Sequence, residues 1–316
     1  MEFFVKFAPF LYDVVLPLAI GYFLVKYTKL TKNSLDFLFS INLWILYPLA
    51  CLFSVWILRI DRAIMWLPVS GLLMQIIPMF IARQTVKRYN FNYAQQGSYA
   101  LTMSLFNAGT LGALTAFFML GELGYGYTGV ILVLGNIYIY GYCFPFAGKY
   151  QRLHEGKTEK VSIFKKLFSL NQMSLYFTIF GMILAALQVP RPVAVDGFIK
   201  PIVHSVAWTA AIPIGAMFDF SKIKDYRFVA RDVSIVKFIV VPVVVTGLSF
   251  LFVKDVVMLK TIFIISASSA ANVAIMASKI YRLEPEMCLS SFIYTTIIYL
   301  LAVVPVFLVI FKYIWI

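Results

Sequence analysis

The chain has 316 residues, 62% of them hydrophobic and 13% charged, with 27 Lys and Arg against 14 Asp and Glu. Soluble domains are about 25% charged and about 45–50% apolar, so this composition, with a mean hydropathy of +0.88, excludes an ordinary soluble globule. The formal charge of +13 reads as membrane topology and not as affinity for nucleic acid, because the Lys and Arg gather in short connections between apolar runs.

A membrane-crossing helix takes about 20 apolar residues. The sequence predicts ten: 5–26, 35–57, 64–82, 96–120, 127–147, 171–189, 198–218, 233–253, 257–279 and 288–311. The opening MEFFVKFAPF has no small-residue cleavage site after a short apolar core, so the first span reads as permanent. With the N-terminus outside, the basic excess falls on the connections predicted to face the cytoplasm, above all 148–170. Both ends then face out, in a plasma membrane, or the inner membrane of a bacterium. The 148–170 segment is expected to be a solvated basic loop at the lipid surface.

Taken in chain order, the polar residues inside these spans are few. Asp13 stands between Pro9 and Pro17, and a carboxylate at that depth marks function by default, with proton or ion coupling as the sharper role. Otherwise it is a protonated or water-exposed acid, or a dimer contact. Asn42 is expected to pack between helices. Gln75 faces the cavity or a neighbouring helix, near Ile239. Glu122, after the fourth span, is expected to be solvated, and Asn136 in the fifth is open between packing and cavity. His204 reads as a packed or interfacial histidine, with pH sensing as the sharper role. Lys237, one turn inside the eighth span, is expected to snorkel to the cytoplasm; the sharper role is a counter-charge for an anion. Cys51, Cys143 and Cys288 lie within spans, without metal or disulfide spacing, and read as apolar filler.

The two halves repeat. Pro48 and Phe53 align with Pro213 and Phe218, Pro78 with Pro242, and Ser104-x-x-Asn107-x-Gly109-x-x-Gly112 with Ser269-x-x-Asn272-x-Ala274-x-x-Ala277. An odd number of spans per half turns the second copy upside down. The predicted fold is therefore an all-α polytopic membrane protein: a 5+5 inverted repeat with repeat one at 5–147 and repeat two at 171–313.

Glycine weakens a helix by about 1 kcal/mol relative to alanine, and a mid-membrane amide needs a partner. Small and polar residues at matched points of spans four and nine therefore predict broken helices crossing near the midplane. Each break exposes backbone N–H groups at a positive dipole end, suited to a carboxylate. The expected binding residues are Asn107, Gly109, Thr110, Gly112, Ser268, Ser269 and Asn272. Asp13, Gln75 and Lys237 are candidates for coupling or gating. Neither broken span contains Asp or Glu, so proton-linked or facilitated movement is favoured over sodium symport. No cofactor or metal is expected.

The segments Tyr47-Pro48-Leu49-Ala50, Asn107-Ala108-Gly109-Thr110-Leu111-Gly112, Gly121-Glu122-Leu123-Gly124 and Ala274 to Tyr281 before Leu283-Glu284 resemble the auxin efflux carrier family, more distantly the sodium–bile acid symporters. The resemblance covers nearly the whole chain. It implies a homodimer, a scaffold of helices 1, 2, 6 and 7, a mobile unit of helices 3–5 and 8–10, and a substrate site where helices 4 and 9 cross. Many members carry proline at the crossing, where this chain reads Ala113 and Ala274. The short central loop is closer to microbial organic-acid permeases than to plant carriers.

The expected function is a secondary transporter of a small organic anion, a carboxylate or auxin-like acid, working by alternating access. The alternative is a membrane sensor that binds at the same crossing without net transport. No enzyme constellation surrounds either histidine, His154 or His204.

Overall fold

The computed structural model describes residues 10–28, 32–156, 170–220, 226–313 and 315. Parts of the first span and the basic residues Lys6, Lys29, Lys157, Lys160, Lys165, Lys166, Lys222 and Lys224 lie outside the described residues. We label the helices α1 (11–27), α2 (Asn33–Trp56), α3 (Trp66–Thr85), α4a (Tyr93–Ser104), α4b (108–120), α5 (122–155), α6 (Met173–Ala186), α7 (Val193–Ala216), α8 (227–249), α9a (Val256–Ser266), α9b (Asn272–Ile280) and α10 (Pro285–Tyr313).

Asn33–Trp56, Trp66–Arg88, Ala108–Glu155 and Pro285–Tyr313 are long and apolar enough to cross a membrane, and Met173–Ala186 and Val256–Ser266 are shorter apolar helices. The chain is a helical membrane protein. Its polarity is arranged accordingly: Ser268, Ser290 and Thr295 are fully buried, whereas Leu251 and Leu301 are about three-quarters exposed, facing lipid.

The 48 residues of Ala108–Glu155 would reach about 72 Å as one helix, more than twice a bilayer core of about 30 Å. Gly121, at φ 73° and ψ −159°, divides the run into α4b and α5, because only glycine adopts this conformation without strain. At its far end α5 continues beyond the predicted loop start at 148. It runs through Glu155 because Gly148 and Gln151 are buried, and it stops at Gly156 in a left-handed cap.

Prolines shape the spans without breaking them. The π-helical turns Leu11–Val15, Asn42–Leu46, Ile139–Cys143, Val236–Val240 and Tyr299–Val303 each lead into a helix with proline at its second position: Pro17, Pro48, Pro145, Pro242 and Pro305. A proline ring clashes with the carbonyl one turn back and offers no N–H. One wider turn accommodates both defects.

Helix α1 packs on α7, and α2 on α6 and α7. In a second group α3 packs on α4a and α5, α8 on α9a and α10, and α9b on α10. The α1–α7 contact is backbone-close: a Cβ on Gly21 would fall on the carbonyl of Ile212, and one on Gly215 on the carbonyl of Leu18. Neither carbonyl has room to retreat. Gly21→Ala and Gly215→Ala are each expected to destabilise the protein by about 1–3 kcal/mol, read as a lowered melting temperature in detergent. Unchanged melting in both would show that the helices do not approach so closely.

Candidate functional site at two paired helix breaks

Helix α4a ends at Leu105, whose backbone is extended (φ −88°, ψ 131°). Helix α9a ends before Ala267, and Ala271 is extended (φ −88°, ψ 144°). The two interruptions lie side by side as an antiparallel bridge between Phe106 and Ala270. Asn107 N donates to Ser269 O at 2.8 Å, and Ala271 N donates to Leu105 O at 3.1 Å. Neither break contains proline. The interruptions persist because groups freed from the helices are satisfied across the bridge, as a buried backbone requires.

Side chains satisfy further groups. The Ala270 amide donates to Thr295 Oγ1 of α10 at 3.1 Å. Lys237 Nζ donates to Leu105 O at 2.7 Å and lies 3.4 Å from the centre of the Phe106 ring. Lys237 is fully buried, so it does not snorkel as expected. The end of α4a presents outward-pointing carbonyls at the negative pole of a helix dipole, and the ammonium caps that pole. A lysine has three N–H donors, and Leu105 takes one.

Most of the expected binding residues meet here. Asn107 is 3% exposed, and its Nδ2 has no hydrogen-bond partner. Ser268 and Ser269 are fully buried. Gly112 is pressed against Ser268: a Cβ there would stand 2.5 Å from Ser268 Oγ and 3.0 Å from Ile265 Cδ1. Gly109 lies under the hydroxyl of Tyr47, which would be 3.0 Å from an added Cβ. Gly109, Thr110 and Asn272 are partly buried. The two asparagines are not equivalent. The bridge sets Phe106 opposite Ala270; Asn107 stands just before the first turn of α4b, and Asn272 is the first residue of α9b.

Tyr47, Thr295 and Thr296 were missed as site residues. Thr296 Oγ1 stands 3.5 Å from Ser269 Oγ. For the two threonines the sequence signal was the hydroxyl pair Thr295-Thr296, in the tenth span.

Other expectations change. The backbone carbonyl of Gln75 accepts from Ser104 Oγ at 2.9 Å, and its amide nitrogen abuts Gly135 of α5. It does not face Ile239, which is 58% exposed; Gln75 is buried against α5, with its Oε1 left without a hydrogen-bond partner. Asn42 packs as expected, donating to Val206 O and Thr209 Oγ1, both at 2.8 Å. Glu122 is not simply solvated: it pairs with Arg191, which also donates to Asp196 (2.6 Å) and to Phe53 O (2.9 Å). Burial lowers the pKa of that guanidinium, but the two carboxylates outweigh it and hold the pKa above its ordinary value. Asp13 is 2% exposed and lies away from the crossing, between α1 and α7.

An open cleft lined by Tyr22, Lys26, Met217 and Phe220 lies at the C-terminal ends of α1 and α7, apart from the paired breaks. No protein-family model and no curated protein matches the chain.

Proposed function

We propose that the chain is a secondary transporter that moves a small organic anion across the membrane by alternating access at the crossing of α4 and α9. The observation that carries this is the bridge. Phe106 and Ala270 are 164 positions apart, the offset that also relates Pro78 to Pro242. Its two hydrogen bonds exchange when the halves exchange, as a two-fold axis through the bridge demands. Helix packing follows the same rule: α2 on α6 mirrors α7 on α1, and α3 on α4a and α5 mirrors α8 on α9a and α10. These pairings support a ten-span 5+5 inverted repeat, with α1, α2, α6 and α7 as scaffold and α3–α5 and α8–α10 as the moving unit.

Two half-helices, α4b and α9b, start at the crossing with amides that lack intrahelical partners. With the Lys237 ammonium and the free Nδ2 of Asn107 they form a positive, hydrogen-bond-donating place suited to a carboxylate. Protonated, Lys237 supplies the charge that a coupling sodium ion would bring, in keeping with proton-linked or facilitated movement. The resemblance to auxin efflux carriers agrees with this assignment and adds a homodimer, and the distribution of Lys and Arg puts both termini outside.

The test is a thermal-shift screen of the purified protein with acetate, malonate, malate and indole-3-acetate, followed by proteoliposome uptake of the acid that stabilises it. Asn107→Ala is expected to weaken that acid about tenfold, the worth of one hydrogen bond to a charged group of about 1.5 kcal/mol. Asn272→Ala is expected to weaken it less, because that residue is only partly buried. Stabilisation without uptake assigns a receptor instead, and uptake that never saturates assigns a channel.

A further inference from the structure

Arg191 lies in the connection between α6 and α7, and that connection is fastened to α2. Trp56 Nε1 donates to Val189 O at 2.8 Å, and Arg191 Nη1 donates to Phe53 O at 2.9 Å. The guanidinium also holds Asp196 in the first turn of α7. Arg191 therefore belongs to the group formed by α2, α6 and α7. The same guanidinium reaches across to Glu122 as a fork: Nη1 pairs with Oε1, and Nη2 stands 3.4 Å from Oε2. Glu122 opens α5 directly after Gly121, whose φ is 73° and around which a Cβ would meet nothing within 4 Å.

Below the ion pair the same face of α5 lies on backbone. Glu122, Gly126 and Gly129 are spaced by four and three residues, which is one stripe of a helix. A Cβ on Gly126 would fall 2.3 Å from Ser54 O of α2, and one on Gly129 would fall 3.2 Å from Val55 Cγ2 and 3.5 Å from Thr178 Oγ1 of α6. Two hydroxyls at this seam, Ser54 Oγ and Tyr125 Oη, are buried with no hydrogen-bond partner. Such groups cost stability, so the seam is close-fitting without being fully satisfied.

We propose that the Arg191–Glu122 pair is a latch that holds α5 closed on α2 and α6, and that its release opens this seam, with Gly121 as the hinge. The latch stands at the end of the molecule that the distribution of Lys and Arg puts outside. Its chemistry suits repeated opening. When Glu122 leaves, Arg191 keeps Asp196 and Phe53 O, so no charge is left buried and unpaired. A hinge of one or a few residues absorbs such a motion, and glycine has the widest φ range for it. The inference deepens the transporter reading, and rests on it only where opening of the seam is linked to uptake.

Spin labels on Leu123→Cys of α5 and Val193→Cys of α7 read the seam in the full-length protein in nanodiscs. Both positions are exposed, and the three native cysteines are buried. This parent is expected to give one short distance. Glu122→Gln is expected to shift part of the population to a longer distance, and Gly126→Ala, which wedges the seam, to do the same. Arg191→Lys keeps the charge but loses the fork and should shift less. A distribution unchanged by Glu122→Gln, in a variant whose melting temperature shows it folded, would overturn the latch. A short, reducible cross-link between the same two cysteines is expected to cut uptake at least tenfold, with recovery on reduction; full uptake through the cross-link would also overturn it. The distances need no substrate. A seam that opens in a protein showing no uptake in any form therefore counts against the transporter assignment and not against the latch.

Discussion

Lys237→Met is expected to abolish anion binding while leaving the protein at least as stable as the wild type. The two effects have opposite signs because the same charge causes both. A fully buried ammonium, with one carbonyl and one aromatic ring as partners, costs folding energy. Methionine fills the same length of side chain without that cost. For a bound carboxylate the ammonium is an attractive charge near the protein interior. At about 4 Å and an effective dielectric near 20 that attraction is about 4 kcal/mol, an upper figure that corresponds to roughly a thousandfold in affinity. Lys237→Arg keeps the charge in a bulkier, planar group and should retain part of the binding. Melting temperature and acid-induced thermal shift, measured on the same samples, separate the two effects. A Met variant that melts much lower but still binds would show that Lys237 is a structural cap on α4a and no part of the anion site.

Gly112→Ala is the second expected large effect. The added methyl carbon would stand 2.5 Å from Ser268 Oγ and 3.0 Å from Ile265 Cδ1, well inside contact distance. Gly112 belongs to the first turn of α4b and Ser268 to the interruption after α9a, so the clash separates the two breaks where the anion would be held. Uptake is expected to fall at least tenfold. The double variant Gly112→Ala with Ser268→Ala should recover part of it, because removing the hydroxyl returns the space. Coupling of residues in direct contact is about 0.5–3 kcal/mol. Losses that simply add in the double variant would mean that Gly112 acts through helix flexibility and not through this contact.

Much of the architecture was legible because lipid imposes it. Long apolar runs with short basic connections predict a polytopic helical protein, and the described helices follow those runs to within a few residues. The predicted interruptions at Asn107 and near Ser268 to Asn272 are the ones observed. The first stretch carries Asn107, Gly109 and Gly112 and the second Ser266, Ser268, Ser269 and Asn272, all poorer helix formers than Ala or Leu. Boundaries were less legible. The helix through Glu155 was missed because Lys149 and Arg152 look like loop residues, and only packing of the opposite face keeps them helical.

What the sequence determined by itself was the helical membrane class, the places where two helices must yield, and the small polar residues at those places. Hydropathy and helix propensity are local properties and can be read along one chain. Only the tertiary structure decided that Lys237 turns inward to Leu105 and not outward to water. It also decided that Asp13 meets His204 and Trp208 some 190 residues further on, and that Tyr47 and Thr295 join the paired breaks. Each of these depends on which helix faces which, and a charge buried among distant partners leaves no periodic trace in the sequence that carries it.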